Sequence, residues 1–493
     1  MSISFNEIPR DRREPGNFIE IDPTLALRGL QGLPHKSLIM GQRLATGETP
    51  AGELVLITDP EQAAKAFGRG SMAHMMCVNY RRANESTELW AIGIDDAGTG
   101  VTAVKRVTIG KTQAGEDFGS GTLSLWVGGR LIRVGVSSAD TPAEVAANIV
   151  AEATNPELAA VLTIDDTFQV QINVTAKHAG ALGNDIDVRV NYQADEVLPG
   201  NMTVAIATET AGATDPTIDA TLAVVDGEWW TEIVTPYLDG ANVATLNDFM
   251  ASNFDALAMR DNLAYGVEPG TLSEVFAGTQ TRNGPHLSLV PHQNAPRPTW
   301  ERAAKYAGIC AFQLQIDPAR QLKSLPMPDD PPPAIEDRFT PEEMDLLLNN
   351  GISSTRVIGG ETRLWRCVTT YRVSDAGAND TSFLDLTTMA LLRFLRWSED
   401  QRILLRFPRH KLANDGTRFG QGQAIVTPEI MRGELIALYR EWEEAGLVEN
   451  ADFFKERLLV ERDSGDPNRL NSLQTPDLIN NLRVFAAKIQ FRL

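Results

Sequence analysis

The chain has 493 residues, 43% of them hydrophobic and 22% charged, the composition of a globular protein with room for about two to four domains. A net charge of −20 argues against a nucleic-acid binder. No window approaches roughly eighteen consecutive apolar residues, which argues against a membrane span, and the opening MSISFNEIPRDRREPG lacks the apolar core of a signal peptide, so residence in a cytosol is expected.

The charge is unevenly spread. Residues 361–493 carry 19 Lys+Arg and 19 Asp+Glu, so the first 360, with 26 basic and 46 acidic, hold the whole excess. Opposite poles on one chain suggest different neighbours on different sides. Cys77, Cys310 and Cys367 are far apart and form no CxxC pair, so packed thiols are expected rather than zinc or a disulfide framework.

In chain order, residues 1–35 read as a charged arm with one short strand signal, Phe18-Ile19-Glu20-Ile21-Asp22. Residues 36–95 begin an α/β core: strands Ser37–Gly41 and Glu53–Thr58, a helix Asp59–Phe67 with Asp59 as N-cap and Pro60 in the first turn, a second helix over Ser71–Tyr80 and a strand Glu88–Ile94. Residues 96–204 change to Thr, Val, Gly and Ser with recurring strand candidates (Gly100–Ile109, Gly121–Val127, Arg130–Val136, Phe168–Ala176, Ile186–Tyr192) and one helix, Thr141–Ala153. This reads as a β-rich domain inserted into the core.

The alternating pattern resumes over 205–360, with strands at Trp230–Val234, Leu263–Val267 and His286–Val290 and helices at Ala244–Ala258, Thr271–Gln280 and Thr299–Ile316. That spacing predicts a largely parallel sheet covered on both faces. Pro326–Pro333 reads as a stiff linker or surface loop, and Phe339–Asn350 as a helix capped by Thr340 and closed by Gly351. Residues 361–475 read as an α+β domain, with a strand Leu364–Val373, helices Leu384–Leu405 and Pro428–Ala445 and a strand Leu458–Arg462. The last stretch, Pro476–Leu493, ends in strict alternation: Ala487, Ile489, Phe491 and Leu493 on one side, Lys488, Gln490 and Arg492 on the other. An apolar-faced strand at the end of the sequence needs a sheet edge to receive it, in its own molecule or in a neighbour.

Chemistry-bearing motifs are sparse. Gly68-Arg69-Gly70-Ser71-Met72-Ala73 fits a dinucleotide pattern, but a helix precedes it where a strand is required, so a helix–loop–helix turn is expected. His35, His74, His178, His286, His292 and His410 form no metal motif, and no G-x-S-x-G elbow occurs. Asp165-Asp166 and Asp329-Asp330 sit in loop-like contexts and read as solvated charge; Trp229-Trp230 reads as core packing of at least one ring. The run Arg402–Lys411, RILLRFPRHK, reads as a solvated face or a contact for an acidic protein, with nucleic acid third because the rest of the molecule would repel it. By residues alone, two readings stay open: a self-assembling structural protein, or an α/β hydrolase or nucleotide-binding enzyme with a β-rich accessory domain.

Several stretches resemble the contractile-tail sheath proteins of Mu-like phages and phage-tail-like bacteriocins: Ile57–Met76, His178–Asp187, Thr235–Leu238 and, most specifically, Phe407–Pro428, Val460–Leu470 and Pro476–Leu493. The resemblance implies a core of subtilisin-like topology without catalysis, a surface-projecting insertion and a C-terminal domain facing an inner tail tube. It implies a non-enzymatic virion tail subunit, assembled in the host bacterial cytoplasm and stacked as hexameric rings that contract to push the tube through the host envelope. Its implied partners are copies of itself, the tail tube protein, and baseplate and tail terminator proteins, with no cofactor, no metal, no direct nucleic-acid contact and no membrane insertion. It also implies arm strands shared between subunits, here Phe18, Ile19 and Ile21 near one end and Ala487, Ile489, Phe491 and Leu493 at the other. Arg402, Arg406, Arg409 and Lys411 are the candidate tube contact.

Overall fold

The computed structural model describes Gly16, Leu30 and residues 32–279, 282–420 and 422–492. Two compact units emerge, one spanning Pro34–Ala390 and the other running from Leu391 onward. The division falls after Ala390, rather than near residue 360 where the composition shifts.

In the larger unit a six-stranded sheet runs in the order Leu287–His292, Leu263–Pro269, Glu232–Val234, Lys36–Gln42, Glu88–Ile94, Leu54–Leu56. All neighbours are parallel except the last pair. Its strands are buried almost throughout, as parallel strands covered on both faces should be. Helices Met72–Ala83 and Thr299–Ile316 lie side by side against it. Local chemistry sets the helix starts: Asp59 accepts from Gln62 N–H, Ser71 from His74 N–H, and Thr141 and Thr340 form capping boxes with Glu144 and Glu343.

The β-rich insertion comprises two small antiparallel sheets. One orders Met202–Thr210, Thr102–Lys111, Gln171–Ala179, Ala160–Ile164; the other orders Arg130–Val136, Gly121–Val127, Val188–Val190. Because Met202–Thr210 pairs along Thr102–Lys111, the insertion runs past residue 204 to Thr210. A third sheet, Leu325–Pro326, Glu361–Arg366, Ser354–Ile358, and the helix Pro341–Asn349 complete this unit.

One expectation is overturned. Asp330 is not solvated charge, while Asp329 stays exposed at the rim of the same cluster. Asp330 is 6% exposed and pairs with buried Arg302 at 3.5 Å, Asp329 accepts from Arg297 at 2.7 Å and from Arg82 at 2.6 Å, and Lys305 Nζ donates to the Asp329 carbonyl. The Pro-rich segment folds back over the cationic start of the Thr299–Ile316 helix, where these carboxylates neutralise charges that burial would otherwise make costly.

The smaller unit packs the helix Pro428–Glu444, capped by Thr427, around Leu435, Leu438, Tyr439 and Trp442, with Phe454, Leu447 and Val448 closing the core. Cys77, Cys310 and Cys367 are buried free thiols. No helix among the described residues is long and apolar enough to cross a membrane.

Candidate assembly surfaces

The C-terminal segment leaves the smaller unit through a short ladder. Asp477–Leu478 pairs antiparallel with Val448–Glu449, and Ile479 N–H reaches the Leu447 carbonyl at 3.1 Å. Tyr439 fixes the corner: its hydroxyl donates to the Glu449 carbonyl at 2.6 Å and accepts from Asp477 N–H at 3.1 Å, and its ring stacks on Phe454 at 3.9 Å. Beyond that anchor, residues 484–492 form no strand. Val484, Phe485, Ile489 and Phe491 are 79–88% exposed, and Ala487, Lys488, Gln490 and Arg492 are exposed as well. The strand expected over Ala487–Leu493 therefore makes no ladder within its own chain as far as residue 492. Leu493, Phe18, Ile19 and Ile21 lie outside the described residues.

A surface that could receive such a strand was not visible in the sequence. Leu459–Arg462 and Leu470–Leu473 form a two-stranded antiparallel sheet, and among the described residues neither strand has a second neighbour. Leu459 and Leu473 face each other across it, 51% and 63% exposed. The connecting loop is held by Asp463, which accepts from Asn471 Nδ2 and from Gly465 and Asp466 N–H; these bonds keep its carboxyl below the ordinary range. A rigid hairpin with two open edges and an uncovered leucine pair is a template for further strands. The sequence predicts the strand Leu458–Arg462, but neither Leu470–Leu473 nor the lack of neighbours beside the pair.

The four basic candidates separate. Arg402 is 11% exposed and bridges Glu434, at 3.1 Å, and Glu441 on the facing helix, so it braces its own unit. Arg406 approaches Glu434 at 3.5 Å while 42% exposed. Arg409 is exposed, and Lys411, exposed too, donates to Gln423 at 3.1 Å.

The Gly68–Ser71 turn, His178 and Cys77 are structurally engaged. Gly68–Ser71 is the turn between helices Pro60–Phe67 and Met72–Ala83. Gly70, at φ +77, leaves no room for a side chain: a Cβ there would meet the Pro156 carbonyl at 2.0 Å. His178 Nε2 accepts from Met72 N–H at 3.0 Å while Nδ1 faces Asp96 at 3.3 Å, so the ring joins the insertion to the core with both nitrogens occupied. Burial pushes the Cys77 thiol up to about 12, far from a thiolate nucleophile.

The model of the phage tail sheath C-terminal domain matches residues 378–492. The tail sheath protein of the Mu-like prophage FluMu of Haemophilus influenzae is 38% identical over the full length of both chains. This chain belongs to the phage tail sheath family. Among solved structures, the sheath tail protein of Listeria innocua is 12% identical, with 93% of this sheath chain and 94% of that one covered and a TM-score of 0.49. The contracted sheath of an extracellular contractile injection system is 9% identical, covering 97% and 98%, with a TM-score of 0.49. Membership rests on the full-length sequence identity.

Proposed function

We propose that this chain is the structural, non-enzymatic subunit of a contractile tail sheath. Copies stack as hexameric rings around a tail tube in the virion tail, assemble in the host bacterial cytoplasm, and shorten to drive the tube through the host envelope, with baseplate and terminator proteins at the two ends. The six-stranded sheet is the family's subtilisin-like core without catalysis, the insertion projects outward and the smaller unit faces the tube.

The observation that carries this reading is the uncovered apolar stripe Val484–Phe491 in a chain that also offers an open hairpin, Leu459–Arg462 with Leu470–Leu473. Donor and acceptor on one chain link copies in series. A strand of about seven residues adds roughly four to six ladder bonds at about 0.5–1.5 kcal/mol net each. Association costs on the order of 4–15 kcal/mol, so one arm is marginal and several together suffice. That suits a subunit that stays dispersed until assembly begins. At the tube face Arg409 and Lys411, with Arg406, supply a salt-screened attachment that releases on contraction. Electron microscopy of the purified chain, alone and with its tube protein, tests the reading. Rings or tubes are expected; a stable monomer that turns over an ester, peptide or nucleotide would overturn it.

A further inference from the structure

A cleft of about 420 Å³ lies in the larger unit between the helix Pro341–Asn349 and the strand Ser354–Ile358. Four consecutive strand residues, 354–357, line it, so it runs along the strand rather than under one face. That strand is an edge: among the described residues its one ladder partner is Glu361–Arg366. The Thr362 and Leu364 carbonyls are taken from the other side, by Met327 N–H at 2.9 Å and Ser324 N–H at 2.8 Å. In an antiparallel ladder a residue's N–H and C=O point the same way. Arg363 and its partner Arg356 therefore bond each other, and Thr355 and Val357 turn their backbone groups outward. No other hydrogen bond among the described residues reaches them.

Two buried side chains face the same cleft with bonding capacity unused. Arg302, 2% exposed, faces the Asp330 carboxylate through its Nε at 3.5 Å, an ion pair without a hydrogen bond. Ser354 Oγ, in a residue 1% exposed, has none either. Buried polar groups are normally satisfied, so an unpaired one calls for a partner, whether water, ion or another chain. The apolar wall is Phe339, Met344, Leu348 and Trp365, the last flanked by the cations of Arg356 and Lys323 at 5.0 and 4.7 Å.

We propose that this cleft receives an extended, acid-bearing segment of a second copy of the chain. The segment's backbone pairs with Thr355 and Val357, a carboxylate meets Arg302, and an adjacent apolar side chain fills the cleft against Met344 and Trp365. The second copy is the fitting occupant because its first 360 residues carry 46 acidic against 26 basic side chains, while the cleft offers Arg302, Arg338 and Arg356 beside Asp337 and Asp345. The inference rests on the sheath reading and adds a contact in the larger unit, separate from the C-terminal stripe.

Hydrogen exchange at the Thr355 and Val357 amides, measured in dispersed chain and in tubes of the chain alone, tests it. Exchange at least about tenfold slower in tubes is expected. In tubes of the double variant R302M/D330N, which leaves no unpaired charge, that protection should be lost. Equal exchange in tubes and dispersed chain would overturn the inference while leaving the sheath reading intact. So would protection already present in the dispersed chain, protection arising only with tube protein, or protection undiminished in the double variant. Failure to form any assembly would overturn the sheath reading, and this inference with it.

Discussion

Arg130 of the insertion and Glu301 of the core meet at 2.8 Å although 171 positions separate them, and neither side chain is more than 7% exposed. Asn79 donates to the same carboxylate at 3.0 Å and Arg297 approaches it at 3.6 Å. Removing one member of a buried pair strands the other, so Arg130→Met should cost the larger unit about 3–5 kcal/mol in a denaturant melt. The double change R130M/E301L should recover part of that. Burial alone would raise the Glu301 carboxyl, but Arg130 and Arg297 outweigh it and hold it below its ordinary 4.5. This stability is therefore present above about pH 4.5 and is lost as pH falls through the lowered value; R130M should weaken that acid dependence.

Asp185 has the opposite sign. It accepts from Thr299 Oγ1 at 2.6 Å, and burial pushes its carboxyl from 3.8 up to about 6. The folded state binds a proton there that the unfolded state has released, so stability falls as pH rises from 3.8 to about 6. Asp185→Asn keeps an acceptor for Thr299 without the charge. It should gain about 1–3 kcal/mol at pH 7 and flatten the melt-versus-pH curve between those values.

Changing both Leu459 and Leu473 to Asp removes an exposed apolar pair and buries nothing new. Thermal stability of the dispersed chain should change by less than about 1 kcal/mol, while tube formation is lost. Tubes forming normally from L459D/L473D would rule this hairpin out as the acceptor.

The basic run should divide by role. Arg402→Ala should destabilise the smaller unit by about 1–3 kcal/mol, because two carboxylates lose their shared partner. R409E/K411E should leave melting unchanged and weaken co-assembly with tube protein, most clearly at low salt. Unchanged co-assembly would remove this surface as the tube contact.

Elements whose signals are local were legible in the sequence. The helix Thr299–Ile316 matches end to end, and Asp59, Ser71, Thr141, Thr340 and Thr427 each begin a helix with a side-chain cap. Strands that depend on distant partners were harder. Ala160–Ile164 and Met202–Thr210 are sheet edges, the latter largely exposed, and neither is among the strands the sequence predicts. The expected strand Leu364–Val373 stops at Arg366, after which two isolated bridges remain, Val368 to Asp385 and Val373 to Asn379. The ionic cluster on the Thr299–Ile316 helix was invisible for the same reason: the partners of Glu301, Arg302 and Lys305, namely Arg130 and Asp329-Asp330, arrive from elsewhere in the chain. The C-terminal alternation could be read, but not its lack of a partner within the chain.

In the proposed sheath the C-terminal stripe joins one copy to the next. Electron microscopy of the chain lacking Ala487–Leu493, beside the full chain and with both checked by sedimentation and melting, tests it most directly. The account predicts a truncated subunit that is folded, equally stable and unable to form tubes. Tubes of ordinary length and yield from the truncated chain would contradict it.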